Sequence, residues 1–142
     1  MEEDEGYLWD HYEKSVNMST YLLKWVVSKY GYAEAETERG IKVRAFYGKN
    51  STKSMEYAAQ NGAKIMDKLE EVFKMEYQLP KMDMVTVPFF AAGAMEEWGL
   101  MSFALGEKQF EQEHDSGRFW VDKIISHELV HQWAGNLVTC AW

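Results

Sequence analysis

The sequence is poor in cysteine, in basic residues and in long apolar runs. Cys140 is the only cysteine among the 142 residues, which excludes an internal disulfide bond and says nothing about the redox compartment. There are 15 lysines and arginines against 23 aspartates and glutamates, and the net charge of −8 disfavours nucleic acid as a partner. By contrast, 46% of the residues are hydrophobic and 15% are aromatic, so the composition predicts a folded domain with a core.

The longest hydrophobic runs are too short to cross a bilayer. Residues 25–27 form one of them, and residues 84–95 form a second that Thr86 and Pro88 interrupt. We therefore expect no transmembrane segment in this chain and no signal peptide. Asn17 and Asn50 lie in glycosylation acceptor patterns, which matter only if the chain enters the secretory route.

The first third of the chain is predicted to form strands. Residues 21–28 are rich in aromatic and β-branched side chains, and residues 41–45 alternate between apolar and polar types. Residues 31–40, between these two predicted strands, are polar and indicate a turn.

A long amphipathic helix is predicted over residues 55–77. Ser54 is a plausible cap for its start, and Leu79-Pro80 ends it. Its polar face carries lysines and acidic residues, so we expect the helix to serve packing rather than chemistry. The expected apolar stripe consists of Ala58, Gly62, Ile65, Leu69, Val72 and Phe73.

Two more strands are predicted after this helix. The first covers residues 82–90, where Pro88 indicates an edge strand or a bulge, and the second covers residues 100–104. Residues 106–117 are charged and indicate a surface loop.

The most specific pattern is His127-Glu128-Leu129-Val130-His131. Apolar residues around it recur at helical spacing, and Gly135-Asn136 supplies a stop, so the pattern lies on a predicted helix. There, His127 and His131 lie one turn apart on one face and can bind one metal ion, while Glu128 can reach a water molecule without being a ligand. This arrangement indicates Zn²⁺ and hydrolysis, with Glu128 as general base. The alternative is a buried helix whose histidines only satisfy hydrogen bonds.

A second pattern, Gly93-Ala94-Met95-Glu96, combines small residues with a carboxylate. Small side chains at a strand edge allow an extended peptide to pair with the backbone. Glu96 would then meet the end of that peptide, and it could bind a free amine by charge-assisted hydrogen bonds. The alternative is a turn with a solvated glutamate.

Taken together and in this order, the two patterns resemble the zinc aminopeptidases related to membrane alanyl aminopeptidase. The resemblance continues through Gln132-Trp133 and residues 135–139, and it extends upstream over residues 12–22 and 77–90, so practically the whole chain is covered. It implies removal of single residues from peptide amino termini by one zinc ion. The implied zinc ligands are His127 and His131, the implied base is Glu128, and Glu96 is the implied amine anchor.

The resemblance also implies the fold class, which is α+β. Residues 1–50 would be the end of an amino-terminal β domain, and residues 51–142 the first part of a thermolysin-like catalytic domain, truncated after the helix that carries His127. The implied peptide path runs along Gly93, Ala94 and Met95. Family members occur in the cytoplasm and anchored outside the cell, so the location stays open.

Three departures from the family pattern stand out. The family usually has Asn in place of Glu97, which we expect to put a second negative charge beside Glu96. The Arg-Glu pair that usually follows the second strand is absent from residues 100–118. The family's third zinc ligand, a Glu about eighteen residues beyond the second His by the family pattern, and its intermediate-stabilising Tyr would lie after Trp142.

These features leave three hypotheses. The first is a zinc aminopeptidase of which this chain is a fragment, with the remainder of the catalytic domain as a possible partner. The second is an inactive shortened homologue that binds peptide amino termini. The third, a different hydrolase with the same histidine pattern, leaves the Glu96 segment without a purpose.

Overall fold

A computed structural model describes residues 2–4, 6–48, 52–88, 90–104 and 115–139. Its centre is a sheet of five strands in the order β3-β4-β5-β7-β6. The strands are β3 (Gly31–Glu36), β4 (Lys42–Tyr47), β5 (Lys81–Thr86), β6 (Ala94–Met95) and β7 (Leu100–Phe103). The helices are α1 (Thr52–Phe73) and α2 (Asp115–His131). This mixture confirms the α+β class.

The two pairs at the sheet edges are antiparallel, and the inner pairs are parallel. β3 pairs with β4 and β6 with β7 in antiparallel register, whereas β4, β5 and β7 run parallel. Helix α1 connects β4 to β5, as a parallel pair requires. A separate small hairpin joins β1 (Glu2–Asp4) and β2 (Tyr7–Trp9).

Both helices lie on one face of the sheet, which we call the front face. The opposite or back face carries Arg44, Asp83 and Ser102. The core fills the space between the front face and the helices, and Gly62 allows α1 to approach β4 and β5 closely, because an added Cβ there would lie 3.1 Å from Met84. The largest fully buried core side chains include Met55, Met66, Met82, Met101, Phe103, Ile125 and Leu129.

The predicted strand over residues 21–28 is wrong. A short 3-10 helix, Thr20–Leu22, occupies its start, and the backbone that follows is paired with no strand of the described residues. Leu22 is buried, but Leu23, Trp25 and Val27 are exposed. Aromatic and β-branched residues favour a strand only where a neighbouring strand supplies the ladder, and none does here.

The predicted turn over residues 31–40 is wrong for its first six residues. These form β3, in which the half-buried Ala33 and Ala35 alternate with exposed residues and pack beneath α1. The turn itself is confined to the next four residues, where the N–H of Gly40 donates to the carbonyl of Thr37 at 2.9 Å.

The other predicted elements are confirmed with shifted ends. Helix α1 stops four residues early because Lys74 adopts φ 53°, outside the helical region, and Val72 is exposed rather than part of the core. β5 is a central strand, not an edge. It ends where Pro88 lacks the N–H that would continue the ladder, after Val87 has donated to Phe103 at 2.8 Å.

Some predictions fall outside the described residues. Cys140, Asn50 and most of the predicted loop over residues 106–117 are among them, although α2 already begins at Asp115. No helix in the described part of the chain is long and apolar enough to cross a membrane.

Candidate active site

Helix α2 presents one face to the core and another to an open cavity. Val121, Ile125 and Leu129 are buried, as a helical repeat of apolar residues requires. His127 is exposed and His131 is half-buried, which disfavours the alternative of a buried helix whose histidines only satisfy hydrogen bonds. The cavity has a volume of about 450 Å³. Its lining comprises Ala92, Gly93, Ala94, Glu96, Trp120, Lys123, Ile124, His127 and Glu128.

The two imidazoles are arranged as ligands of one metal ion would be. The Nε2 atoms of His127 and His131 lie 3.1 Å apart. Two nitrogen ligands of one tetrahedral zinc ion lie about 3.3 Å apart. The Nδ1 atom of His131 lies 3.0 Å from the carbonyl oxygen of Ala134, and donation from Nδ1–H to this oxygen leaves Nε2 with a free lone pair. The donor set therefore fits zinc.

The described residues provide only part of a complete metal site. They contain no group of three or more His, Cys, Asp or Glu side chains placed to hold a metal ion. A catalytic zinc ion usually takes three protein ligands and one water molecule. His127 and His131 would be two of those ligands.

Glu128 is held in an environment that favours its protonated form. Its side chain is buried beside the histidines, and desolvation, followed by repulsion from Glu96, raises its pKa from 4.5 to about 7, while His131 opposes the rise. A carboxylate whose pKa lies close to neutral pH is suited to accept a proton and return it.

The small-residue pattern forms the edge of the sheet, as predicted. β6 is the outermost strand, and its register places Ala94 opposite Phe103 and Met95 opposite Ser102. The other side of β6 pairs with no strand among the described residues. Gly93 precedes β6 with φ 83°, and a Cβ there would meet nothing within 4 Å, so space beside the strand is open.

Two buried amides hold the end of β6 against α2. Gln132 Nε2 and Asn136 Nδ2 both donate to the carbonyl oxygen of Glu96, at 3.1 and 2.8 Å. Gln132 also donates to the carbonyl of Glu128, at 3.2 Å. From the sequence, Asn136 was expected only as part of the stop of the helix, and Gln132 had no predicted role. The available signal was their place one and five residues after His131, since polar residues flanking a metal motif often orient it.

Glu97 does not lie beside Glu96, contrary to expectation. Its side chain is on the back face, where it accepts hydrogen bonds from Lys24 at 2.6 Å and from the hydroxyl of Ser102 at 2.8 Å. Side chains of adjacent residues in extended backbone point to opposite faces, so Glu96 lines the cavity while Glu97 does not.

An α+β domain with a histidine pair and a buried glutamate on one helix, facing an open strand edge, has the arrangement of a metal-dependent peptidase. The family model described as the Peptidase family M1 domain matches residues 57–142. The chain therefore belongs to peptidase family M1.

Named relatives agree with this family. The chain is 39% identical over 144 aligned residues to endoplasmic reticulum aminopeptidase 2 of Bos taurus, which covers 100% of the chain and 15% of the relative. It is 42% identical over 133 residues to aminopeptidase M1 of Arabidopsis thaliana, with 92% and 15% covered. It is 38% identical over 133 residues to aminopeptidase A of Gloydius brevicauda, with 92% and 14% covered. The chain thus spans about 15% of the length of these relatives.

Proposed function

We propose that the chain carries the first part of a zinc aminopeptidase site, which removes single residues from peptide amino termini. The observation that supports this most is the cavity shared by the strand edge, Glu96, His127 and Glu128. In this cavity a peptide in extended conformation can pair with residues 93–95, and its terminal amine can meet Glu96. The relatives named above are aminopeptidases, which agrees with binding of the peptide by its amino terminus.

The chemistry follows from where the side chains lie. A zinc ion held by His127 and His131 would supply the Lewis acidity that polarises a scissile carbonyl and acidifies water. Glu128 accepts the proton of the attacking water on its carboxylate and donates it to the nitrogen of the leaving amine. A peptide that begins at Glu96 has its first peptide bond next to Glu128, which limits cleavage to one residue.

The proposed function also requires a third zinc ligand and a catalytic domain with a defined start. The third protein ligand would come from outside the described residues. The sequence predicts that a thermolysin-like catalytic domain covers residues 51–142, with the end of an amino-terminal β domain before it. Because β3 and β4 pair into the same sheet as β5, the catalytic domain is better started at β3 than at residue 51.

The second candidate function is peptide binding without hydrolysis. The observation that favours it is that the described residues provide two metal ligands and no third. In this case Glu96 and the strand edge would still select free amino termini, but zinc would bind weakly or not at all.

One experiment separates the candidates. The chain is incubated with graded zinc and an aminoacyl fluorophore, beside a peptide with a free amino terminus and its acetylated twin. An aminopeptidase releases the fluorophore in proportion to bound zinc, and Glu128→Gln abolishes release while the distant Glu71→Gln does not. Peptide binding without release at any zinc concentration, also after addition of a polypeptide that supplies the remainder of a family M1 catalytic domain, supports the second candidate. Cleavage of the acetylated peptide contradicts both candidates.

A further inference from the structure

Lys24 lies outside the sheet, in the irregular segment that precedes β3, and contacts the chain on both sides of β6. Its Nζ atom donates to Glu97 at 2.6 Å and to the hydroxyl oxygen of Ser102 at 2.8 Å. The same Nζ atom lies 4.6 Å from the centre of the Phe90 ring, within the range of a cation–π contact. Phe90 precedes β6, Glu97 follows it, and Ser102 lies opposite Met95 on β7.

β6 needs such support because its own pairing is slight. The strand has two residues and two register pairs, at the edge of the sheet. A strand this short contributes few ladder hydrogen bonds and opens readily without other contacts. On the front face, Gln132 and Asn136 hold the carbonyl of Glu96. On the back face, the contacts of Lys24 are the corresponding attachment.

The Lys24 contact is also needed to keep the charge of Glu97 buried. The Glu97 side chain is 5% exposed, whereas that of Lys24 is 23% exposed. Glu97 accepts from the hydroxyl of Ser102 at 2.8 Å and from the backbone N–H of Ser102 at 3.2 Å. Among its hydrogen-bond partners in the described part of the chain, only Lys24 brings a positive charge. A buried carboxylate without its counter-charge is strongly unfavourable, so loss of Lys24 would displace Glu97 and the residues before it.

We propose that Lys24 is a positioning residue that holds the peptide-binding strand β6, and with it Glu96, in place through Phe90, Glu97 and Ser102. The effect on peptide binding rests on the function proposed above, but the effect on strand order does not. The segment before β3 thereby becomes part of the substrate-binding apparatus, although no residue of it lines the cavity.

Hydrogen–deuterium exchange of the 142-residue chain tests directly whether Lys24 holds β6 in place. Lys24→Met keeps most of the length of the side chain but removes its charge. We expect amides in residues 90–104 to exchange about tenfold faster, because a buried charge is left unpaired. The double variant Lys24→Met/Glu97→Gln removes that charge and should recover most of the protection. Lys42→Met breaks the exposed Lys42–Glu34 pair elsewhere in the sheet and serves as the control. Unchanged exchange in Lys24→Met, or a uniform increase over the whole chain, overturns the proposal.

Peptide affinity provides the second readout. If Glu96 anchors an amine, the parent chain binds a free-amine peptide more tightly than its acetylated twin, and Lys24→Met should lose about fivefold in affinity for the free-amine peptide alone, as a displaced charge contact implies. The double variant should restore this preference. If the parent chain shows no preference for the free amine, the proposed function fails. The exchange result still decides whether Lys24 holds β6 in place. Local exchange that rises without loss of an existing preference overturns the link to Glu96.

Discussion

At the scale of single residues, Glu128 combines burial with a nearby like charge. Desolvation and then Glu96 raise its pKa from 4.5 to about 7, so the folded chain favours the protonated carboxyl more than the unfolded chain does. The contribution of Glu128 to the free energy of unfolding is therefore fully present below about pH 4.5, and it is lost as the pH rises towards 7.

We predict that Glu128→Gln becomes stabilising relative to the parent chain as the pH rises. Gln has nearly the same shape and no charge, so the variant keeps its stability between pH 4.5 and 7 where the parent loses it. The difference should reach roughly 2 to 3 kcal/mol at neutral pH in metal-free protein. Urea unfolding of both chains at several pH values measures it. A difference that is independent of pH would contradict the assigned pKa.

Among the glycines whose surroundings the structure describes, Gly99 is the one whose replacement should cost most. It adopts φ 83°, and a Cβ there would lie 2.8 Å from the Cδ1 atom of Leu79. We predict that Gly99→Ala lowers the free energy of unfolding by about 2 to 4 kcal/mol, from backbone strain and overpacking together. Gly40 has φ 80° with nothing within 4 Å of an added Cβ, so Gly40→Ala measures the backbone strain alone. Equal losses in the two variants would show that the contact with Leu79 relaxes without cost.

At the scale of elements, the sequence predicted the helices and strands whose own residues carry a clear local pattern. Helices α1 and α2 carry apolar repeats at helical spacing, and β4, β5 and β7 have strand-forming residues between turn signals. β3 was missed because alanine and glutamate have little strand preference, and its pairing with β4 decides its conformation.

In the candidate site, too, the residues with a local sequence pattern could be predicted, and the contacts between distant segments could not. His127, Glu128 and His131 could be predicted because one helix sets their spacing. Gln132 contacts a residue 36 positions away in the sequence, and Lys24 contacts one 73 positions away. No local sequence pattern predicts such contacts. Glu97 is an example of a residue whose sequence position was misleading. It is adjacent to Glu96 in the sequence, but alternation along the backbone places its side chain on the back face, away from that of Glu96.

Asp122 joins the two helices, so its replacement should loosen α2. Its carboxylate accepts from the hydroxyl of Tyr57 at 2.9 Å and from Asn61 Nδ2 at 2.6 Å. We predict that Asp122→Ala lowers the free energy of unfolding by about 1 to 3 kcal/mol, because two donors of α1 lose their partner. Asp122→Asn retains an acceptor oxygen and should lose less. Chemical denaturation of both variants gives the comparison, and an unaffected Asp122→Ala would mean that water replaces these bonds.

At the scale of the whole molecule, apolar side chains are concentrated on the outside of the segment before β3. Trp25 and Val27 are 74% and 95% exposed, and the side chains of Tyr7, Leu8, Trp9, Tyr12, Tyr21 and Leu23 are also largely exposed. Exposed apolar side chains grouped in this way favour association, because contact with another surface removes them from water.

We therefore predict that the chain self-associates as its concentration rises, and that Trp25→Ser/Val27→Ser reduces this association. Neither side chain belongs to the core, so the double variant should keep the far-ultraviolet circular dichroism of the parent chain. Light scattering over a concentration series should show a smaller mean mass for the variant. Val72→Ser removes an apolar side chain that is 63% exposed on α1, away from this segment, and should leave the scattering unchanged. A parent chain that stays a monodisperse monomer throughout the series would contradict the prediction, and equal scattering by parent and variant would place the association on another surface.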